Sequence, residues 1–345
     1  MGFEYLHRLP SADEIKKELP VSEKLARLKE SRDEEIRQII DGRSDKFLLI
    51  IGPCSADNET SVAEYCARLR KVQDKVADKL FIVPRVYTNK PRTTGEGYKG
   101  MAHQPDPTDA PNIVGGLKAI RKMHIRILAE SGFTSADEML YPSNFPYLSD
   151  LLSYVAVGAR SVENQQHRLT VSGFDIASGM KNPTSGDLTV MLNSIKAAQL
   201  PHEFIYSGHE VRTTGNPWAH AILRGAFTPH GRNIPNYHYE EMIYLLKMYA
   251  ERNLANPAVI VDCNHANSAK KFAEQPRIAK EVISNMRHSK DIRKAVKGLL
   301  IESYLVEGAQ DVTDGVYGKS ITDPCLGWEA SEQLILDLAD RFASL

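Results

Sequence analysis

From Lys46 onward the sequence alternates short apolar or β-branched runs with longer stretches whose apolar residues recur at helical spacing. A strand, a helix and a second strand in that order form a crossover, which leaves the two strands parallel with the helix packed outside the sheet. Eight strands are predicted, at 47–51, 80–86, 134–140, 154–159, 175–180, 203–206, 258–262 and 298–302. A helix is predicted after each, at 61–77, 113–130, 146–153, 162–171, 187–199, 239–253, 269–288 and 330–343. Eight successive βα units can close a sheet on itself, so the expected fold is α/β, a (β/α)8 TIM barrel.

Residues 1–43 are charged and contain helical spacing but no strand-like run. They are expected to form an N-terminal helical extension, with residues 44–345 as the barrel. Three connections are long, 87–112, 207–237 and 303–327, and each follows the carboxyl end of a predicted strand. In barrels of this kind the active site is built at that face, so long loops there point to function.

The strand ends carry polar groups. Ile-Gly-Pro-Cys-Ser places Cys54 just past the first strand, Pro-Arg-Val places Arg85 on the second, and Ala-Asp-Glu-Met places Glu138 on the third. Gly-Ala-Arg-Ser brings Ala159 and Arg160 to the fourth, Gly-Met-Lys-Asn brings Lys181 to the fifth, Asp-Cys-Asn-His brings His265 to the seventh, and Ile-Glu-Ser brings Glu302 to the eighth. Ionisable groups on strands that feed an apolar interior are costly unless they pair with one another or with a ligand.

The ring divides by chemistry. Cys54, His265, Glu302 and, from the last loop, Asp323 offer a thiolate, an imidazole and two carboxylates. That set suits one borderline divalent ion, Mn, Fe, Co or Zn, rather than Mg or Ca, and the sequence does not choose among the four. Arg85, Lys90, Arg92, Lys99, Arg160, Lys181, Arg224 and Lys319 form a basic group. Arginine forks grip phosphate and carboxylate oxygens in pairs while lysine acts as a point charge, so two phosphate-bearing substrates would fit.

These cations form a local cluster only. The chain has 43 Lys plus Arg against 44 Asp plus Glu, a formal net charge of −1, which gives it no overall attraction to nucleic acid or an anionic membrane. Neither a membrane-spanning run nor the apolar core of a leader is visible, so the expected location is cytoplasmic. The four cysteines, Cys54, Cys66, Cys263 and Cys325, are too scattered for a disulfide framework and are expected to be reduced. His202, His209, His220, His230 and His238 have no ligand spacing and are read as ordinary loop histidines.

Taken in order, the motifs resemble the type I 3-deoxy-D-arabino-heptulosonate 7-phosphate (DAHP) synthases. The likeness rests on Ile-Gly-Pro-Cys-Ser (51–55), Arg-Val-Tyr (85–87), Lys-Pro-Arg-Thr-Thr (90–94) and Gly-Ala-Arg-Ser-Val-Glu-Asn-Gln (158–165). It continues through Met-Lys-Asn (180–182), Ile-Leu-Arg-Gly (222–225), Asn-His-Ala-Asn-Ser (264–268), Ile-Glu-Ser-Tyr-Leu-Val-Glu-Gly (301–308) and Tyr-Gly-Lys-Ser-Ile-Thr-Asp-Pro-Cys (317–325). It spans roughly residues 12–343.

The resemblance implies condensation of phosphoenolpyruvate with erythrose 4-phosphate and water, releasing phosphate, at the entry to the shikimate pathway. It implies that Cys54, His265, Glu302 and Asp323 are metal ligands, and that Arg85, Lys90, Glu138, Arg160, Lys181 and Arg224 surround phosphoenolpyruvate. Lys90, Pro91, Arg92 and Thr93 would form the erythrose 4-phosphate loop. The implied catalytic groups are Lys90, Cys54 and His265, with Glu138 handling the water. The implied partners are a feedback-inhibiting aromatic amino acid and further copies of the chain, as dimer or tetramer. Residues 140–146 and 170–175 depart from the pattern associated with phenylalanine inhibition, so the regulating amino acid is not named. Two other readings are an arabinose 5-phosphate-using octulosonate synthase, which lacks the Lys-Pro-Arg-Thr signature, and a silent metabolite-binding barrel.

Overall fold

The structure, a computed structural model, describes residues 2–345. Two helices, α1 (Ala12–Glu18) and α2 (Glu23–Asp41), precede the first strand. Ser11 caps α1 by accepting from the Glu14 amide while the Glu14 carboxylate accepts from the Ser11 amide, which satisfies amides that the helix cannot. Helix α2 ends at Gly42 in the left-handed conformation, and its Ile36, Ile39 and Ile40 pack with Leu48, Ile50, Phe81 and Val83.

The barrel strands are β1 (Phe47–Gly52), β2 (Leu80–Pro84), β3 (Ser135–Glu138), β4 (Leu152–Val157), β5 (Ala177–Lys181), β6 (Ala219–Leu223), β7 (Val259–Asp262) and β8 (Val296–Glu302). All pair in parallel in the spatial order β2-β1-β8-β7-β6-β5-β4-β3. A parallel bridge from Arg85 to Ala136, with the Val86 amide donating to the Ala136 carbonyl at 2.8 Å, joins β2 to β3 and closes the cylinder. Outside run α3 (Glu59–Val76), α4 (Ile113–Ser131), α5 (Gln165–Val171), α6 (Leu188–Gln199), α7 (Tyr239–Arg252), α8 (Gln275–His288), α9 (Lys290–Ala295) and α10 (Trp328–Ala343). None of the described helices is long and apolar enough to cross a membrane.

The eight-stranded barrel agrees with expectation, but three elements do not. The sixth barrel strand is Ala219–Leu223, not Glu203–Tyr206. The latter, whose residues alternate between exposed and half-buried, pairs antiparallel with His209–Arg212 in an outer hairpin. That period-two alternation is the mark of a strand with one wet face, whereas a parallel barrel strand is covered on both sides, and β6 is buried throughout.

The helix expected at 146–153 is a 3-10 turn, Pro142–Tyr147, and Leu152 already belongs to β4. Pro142 and Pro146 deprive this segment of two amide donors, which prevents a regular α-helix. The helix expected from 269 starts at Gln275, with Pro276 in its first turn. The residues ahead of it include left-handed Ala269 and Lys270, and a separate short helix, α9, leads into β8.

Candidate active site at the carboxyl end of the barrel

Close packing of β1 on β2 brings the first two candidate residues together. A Cβ on Gly52 would lie 2.5 Å from the Arg85 carbonyl oxygen, so only glycine lets the strands approach this closely at their carboxyl ends. The chain then turns through Pro53 to Cys54, which is fully buried. Arg85 donates from Nη2 to Glu302 Oε1 at 2.9 Å and from Nε to the Pro53 carbonyl at 3.3 Å. Asn264 Nδ2 donates to the other Glu302 oxygen, and Gln275 bonds both the amide and the carbonyl of Glu302 at 2.8 Å.

Ligand atoms of Cys54, Glu302 and Asp323 all lie within 4.8 Å of one another. Cys54 Sγ is 3.7 Å from Asp323 Oδ2. Residues 269 positions apart in sequence thus converge at one point. His265 falls outside this tight group, and its Nδ1 lies 2.7 Å from Asp262 Oδ2. Asp262 is held well below its ordinary range: burial opposes ionisation, but His265, Lys181 and Arg85 outweigh it.

Two cations approach the group. Lys90 Nζ lies 2.9 Å from Cys54 Sγ and 3.1 Å from the Cys54 carbonyl. Burial disfavours the Lys90 charge, yet Cys54, Glu302 and Asp323 together hold its ammonium above the usual lysine value. Burial, followed by Glu302, pushes the Cys54 thiol up, with Lys90 opposing them. On the far side, Lys270 Nζ donates to Asp323 Oδ1 at 2.8 Å.

Four of the basic residues, Lys181, Lys90, Arg85 and Arg224, act on a second centre at Glu138. Glu138, at the end of β3, lies 3.5 Å from Lys181 Nζ, and Gly158 makes room for it, since a Cβ there would overlap Glu138 Oε1. Burial raises the Glu138 pKa, but Lys181, Lys90, His265 and Arg85 outweigh it and keep the carboxylate ionised. Arg224 follows β6 directly and is buried. Arg85 Nη1, Arg224 Nη1 and the Tyr87 hydroxyl are buried without a hydrogen-bond partner. Orphaned cationic donors on one rim are costly unless an anion completes them.

Further out, Ala159 is half-buried and Arg160 exposed just beyond β4. Pro91 and Arg92 are half-buried and Thr93 exposed; Arg92 Nε donates to the Tyr98 carbonyl at 2.8 Å. The Lys90 amide donates to the Lys99 carbonyl at 3.0 Å, which folds this loop back on itself. Lys319 lies on the last long loop, paired with Val306.

Sequence reading did not single out Asp262, Asn264, Gln275, Asp137 or Lys270. Asp262 and Asn264 flank Cys263 in a motif already noted, whereas Gln275 and Lys270 had no local signal. Asp137 accepts from the Thr88 amide at 2.9 Å and the Glu138 amide at 2.7 Å, and burial pushes it up to about 7 despite those bonds. His220 is no loop residue: it lies buried on β6, with Nε2 2.8 Å from the Tyr154 hydroxyl and Nδ1 2.8 Å from the Trp218 carbonyl.

Comparison with known proteins agrees with this architecture. The chain is 38% identical over 330 residues to the phospho-2-dehydro-3-deoxyheptonate aldolase, Phe-sensitive, of Escherichia coli K12, covering 93% of this chain and 91% of the relative. It is 35% identical over 340 residues to the Tyr-sensitive enzyme of the same organism, covering 96% and 92%. The solved structure of phospho-2-dehydro-3-deoxyheptonate aldolase from Francisella tularensis SCHU S4 superposes with a TM-score of 0.92 at 30% identity, covering 99% of both chains. Residues 18–335 match the DAHP synthetase I family, and with relatives this similar along nearly their whole length, the chain belongs to that family.

Proposed function

We infer that this chain condenses phosphoenolpyruvate with D-erythrose 4-phosphate and water to give DAHP and phosphate, the first step toward the aromatic amino acids. The observation that carries the reading is the juxtaposition, on one barrel rim, of a thiol–carboxylate group with the unpartnered Nη1 donors of buried Arg85 and Arg224. Intact Lys90, Pro91, Arg92 and Thr93 favour erythrose 4-phosphate over arabinose 5-phosphate as acceptor, and intact candidate ligands favour an enzyme over a silent barrel.

The donor set fits one borderline divalent ion, which Cys54, Glu302 and Asp323 would hold. His265 is proposed as the fourth ligand: Asp262 Oδ2 lies 2.7 Å from its Nδ1, and a carboxylate on that side would leave Nε2 as the nitrogen for a metal. When bound, the ion supplies Lewis acidity toward the aldehyde oxygen.

The protein's own residues supply the rest. Arg85, Arg224, Lys181 and Arg160 would grip the carboxylate and phosphate of phosphoenolpyruvate, so that C3 presents one face to the aldehyde carbon. Ala159 would line that pocket. Lys90, Pro91, Arg92 and Thr93 would seat the second phosphate. Glu138, ionised among cations, would accept a proton from the water that adds at C2.

Residues 44–345 are proposed as the catalytic barrel of a cytoplasmic enzyme, and residues 1–43 as a helical arm. Exposed Phe3, Tyr5 and Leu6 on that arm support its use in a homo-oligomer. An aromatic amino acid is proposed as feedback inhibitor, acting through the region of the 3-10 turn, where Phe145 stacks on Phe174 at 3.8 Å and Tyr206 donates to the Pro142 carbonyl.

A phosphate-release assay with phosphoenolpyruvate and either erythrose 4-phosphate or arabinose 5-phosphate tests the reading. Release with the four-carbon acceptor alone is expected. Preference for arabinose 5-phosphate, or no release with either, would overturn it.

A further inference from the structure

Six non-glycine residues adopt a left-handed backbone among the described residues, and half of them, His265, Ala269 and Lys270, fall within one stretch between β7 and α8. Two of the other three are Asn253 and Asn256, a residue type that tolerates this conformation. Alanine and lysine gain nothing from it locally, so the surrounding contacts must hold them there. The Lys270 amide donates to the His265 carbonyl at 2.8 Å, closing the loop into a tight turn.

The strained turn carries the Lys270 side chain to Asp323. Its Nζ donates to Oδ1 at 2.8 Å, while the other carboxylate oxygen, Oδ2, faces Cys54 Sγ at 3.7 Å. Asp323 is anchored from behind as well, since Ser320 Oγ donates to its backbone carbonyl at 2.8 Å. A half-exposed lysine–carboxylate pair ordinarily contributes little. Here, however, the two contacts engage opposite oxygens of one carboxylate, so the lysine bears on the orientation that Asp323 presents to the thiol.

We propose that Lys270 is a positioning residue for the metal site: by occupying Asp323 Oδ1 it aims Oδ2 at the point shared with Cys54 and Glu302. The proposal rests on the reading of Cys54, Glu302 and Asp323 as ligands of one divalent ion.

The sign of one measurement separates this role from simple charge. A lysine beside a cation site repels the cation, so its removal should tighten metal binding if charge were all it contributed. A positioning role gives the opposite, since loss of a group that orients a ligand typically weakens affinity about 10–100-fold.

Cobalt(II) affinity is to be read by titrating metal-free protein and following the thiolate-to-cobalt absorption band, which reports Cys54 directly. Lys270→Met is expected to weaken affinity at least about tenfold and to shift or weaken that band. Lys270→Arg, which keeps a cationic donor, is expected to restore both. Should Lys270→Met fail to fold, Lys270→Gln serves in its place with the same expected loss.

Unchanged or tighter binding in the neutral variant would overturn the proposal, as would equal weakening in Lys270→Arg. Cys54→Ser run in parallel isolates the underlying assumption: if it binds cobalt as the parent does, the ligand set itself is wrong. If Cys54→Ser loses cobalt and the neutral Lys270 variant does not, only the role of Lys270 falls.

Discussion

Arg85 donates to Glu302 at 2.9 Å with neither side chain reaching solvent, so a candidate substrate-binding cation also holds a candidate metal ligand. The same guanidinium stacks over the Tyr87 ring, 3.9 Å from its centre, and keeps Nη1 unpartnered. One residue therefore joins the two halves of the site.

Removing Arg85 strands the Glu302 carboxylate in a closed interior. Arg85→Met is expected to cost about 3–5 kcal/mol of stability, as breaking a buried pair does, and to weaken both phosphoenolpyruvate and metal. Urea unfolding of metal-free protein checks the first part, because no ion is then present to compensate Glu302.

Arg224 should behave differently. It is buried beside Arg160 with Nη1 free, and burial lowers its pKa, so the fold gains little from its charge. Arg224→Met is expected to raise KM for phosphoenolpyruvate about 10–100-fold, the loss of a charged hydrogen bond worth ~1.5–3 kcal/mol, without lowering the melting temperature. Steady-state kinetics and a thermal melt on the same preparation test the pair of outcomes.

Asp137 makes stability depend on pH. Burial raises its pKa from the ordinary 3.8 to about 7, so between those values the folded chain binds a proton that the unfolded chain has released. Its contribution is fully present below pH 3.8 and is lost as pH rises through about 7. Asp137→Asn should flatten the stability profile across that window, measured as denaturation midpoints at a series of pH values.

Asp262 is expected to act through His265. Asp262→Asn removes the charge 2.7 Å from Nδ1 and should weaken metal binding about 10–100-fold while the fold is retained. Circular dichroism together with a competition titration against a chromophoric chelator separates the two effects.

Much of this architecture could be read from residue order. Seven of the barrel strands follow from residue order, most of them as apolar runs that end in polar residues, because a parallel strand buried on both faces leaves little else for its sequence to be; β3, Ser135–Glu138, has no such run and carried the weakest signal. The sixth strand was missed for a physical reason: Ala219, His220 and Ala221 lack the bulky β-branched pattern, and the neighbouring hairpin at Glu203–Tyr206 carries the stronger strand signal.

With β6 placed, Arg224 takes the one rim position that had no candidate. What stayed hidden were contacts with no sequence spacing to reveal them. The grip of Gln275 on Glu302 spans 27 positions and that of Lys270 on Asp323 spans 53. His265 stands 2.7 Å from Asp262 with a backbone φ of +51°, a conformation that histidine does not advertise.

The central claim is that one cation, held where Cys54, Glu302 and Asp323 meet, is required for the condensation. It is tested by adding Mn(II) or Co(II) stepwise to chelator-stripped protein and following phosphate release against metal bound per chain. The rate should rise in proportion and level off at about one ion per chain, while Cys54→Ala stays inactive and binds none, and Mg(II) or Ca(II) fails to substitute. Full rate in stripped protein under chelator, or a Cys54→Ala variant that titrates like the parent, would contradict the account.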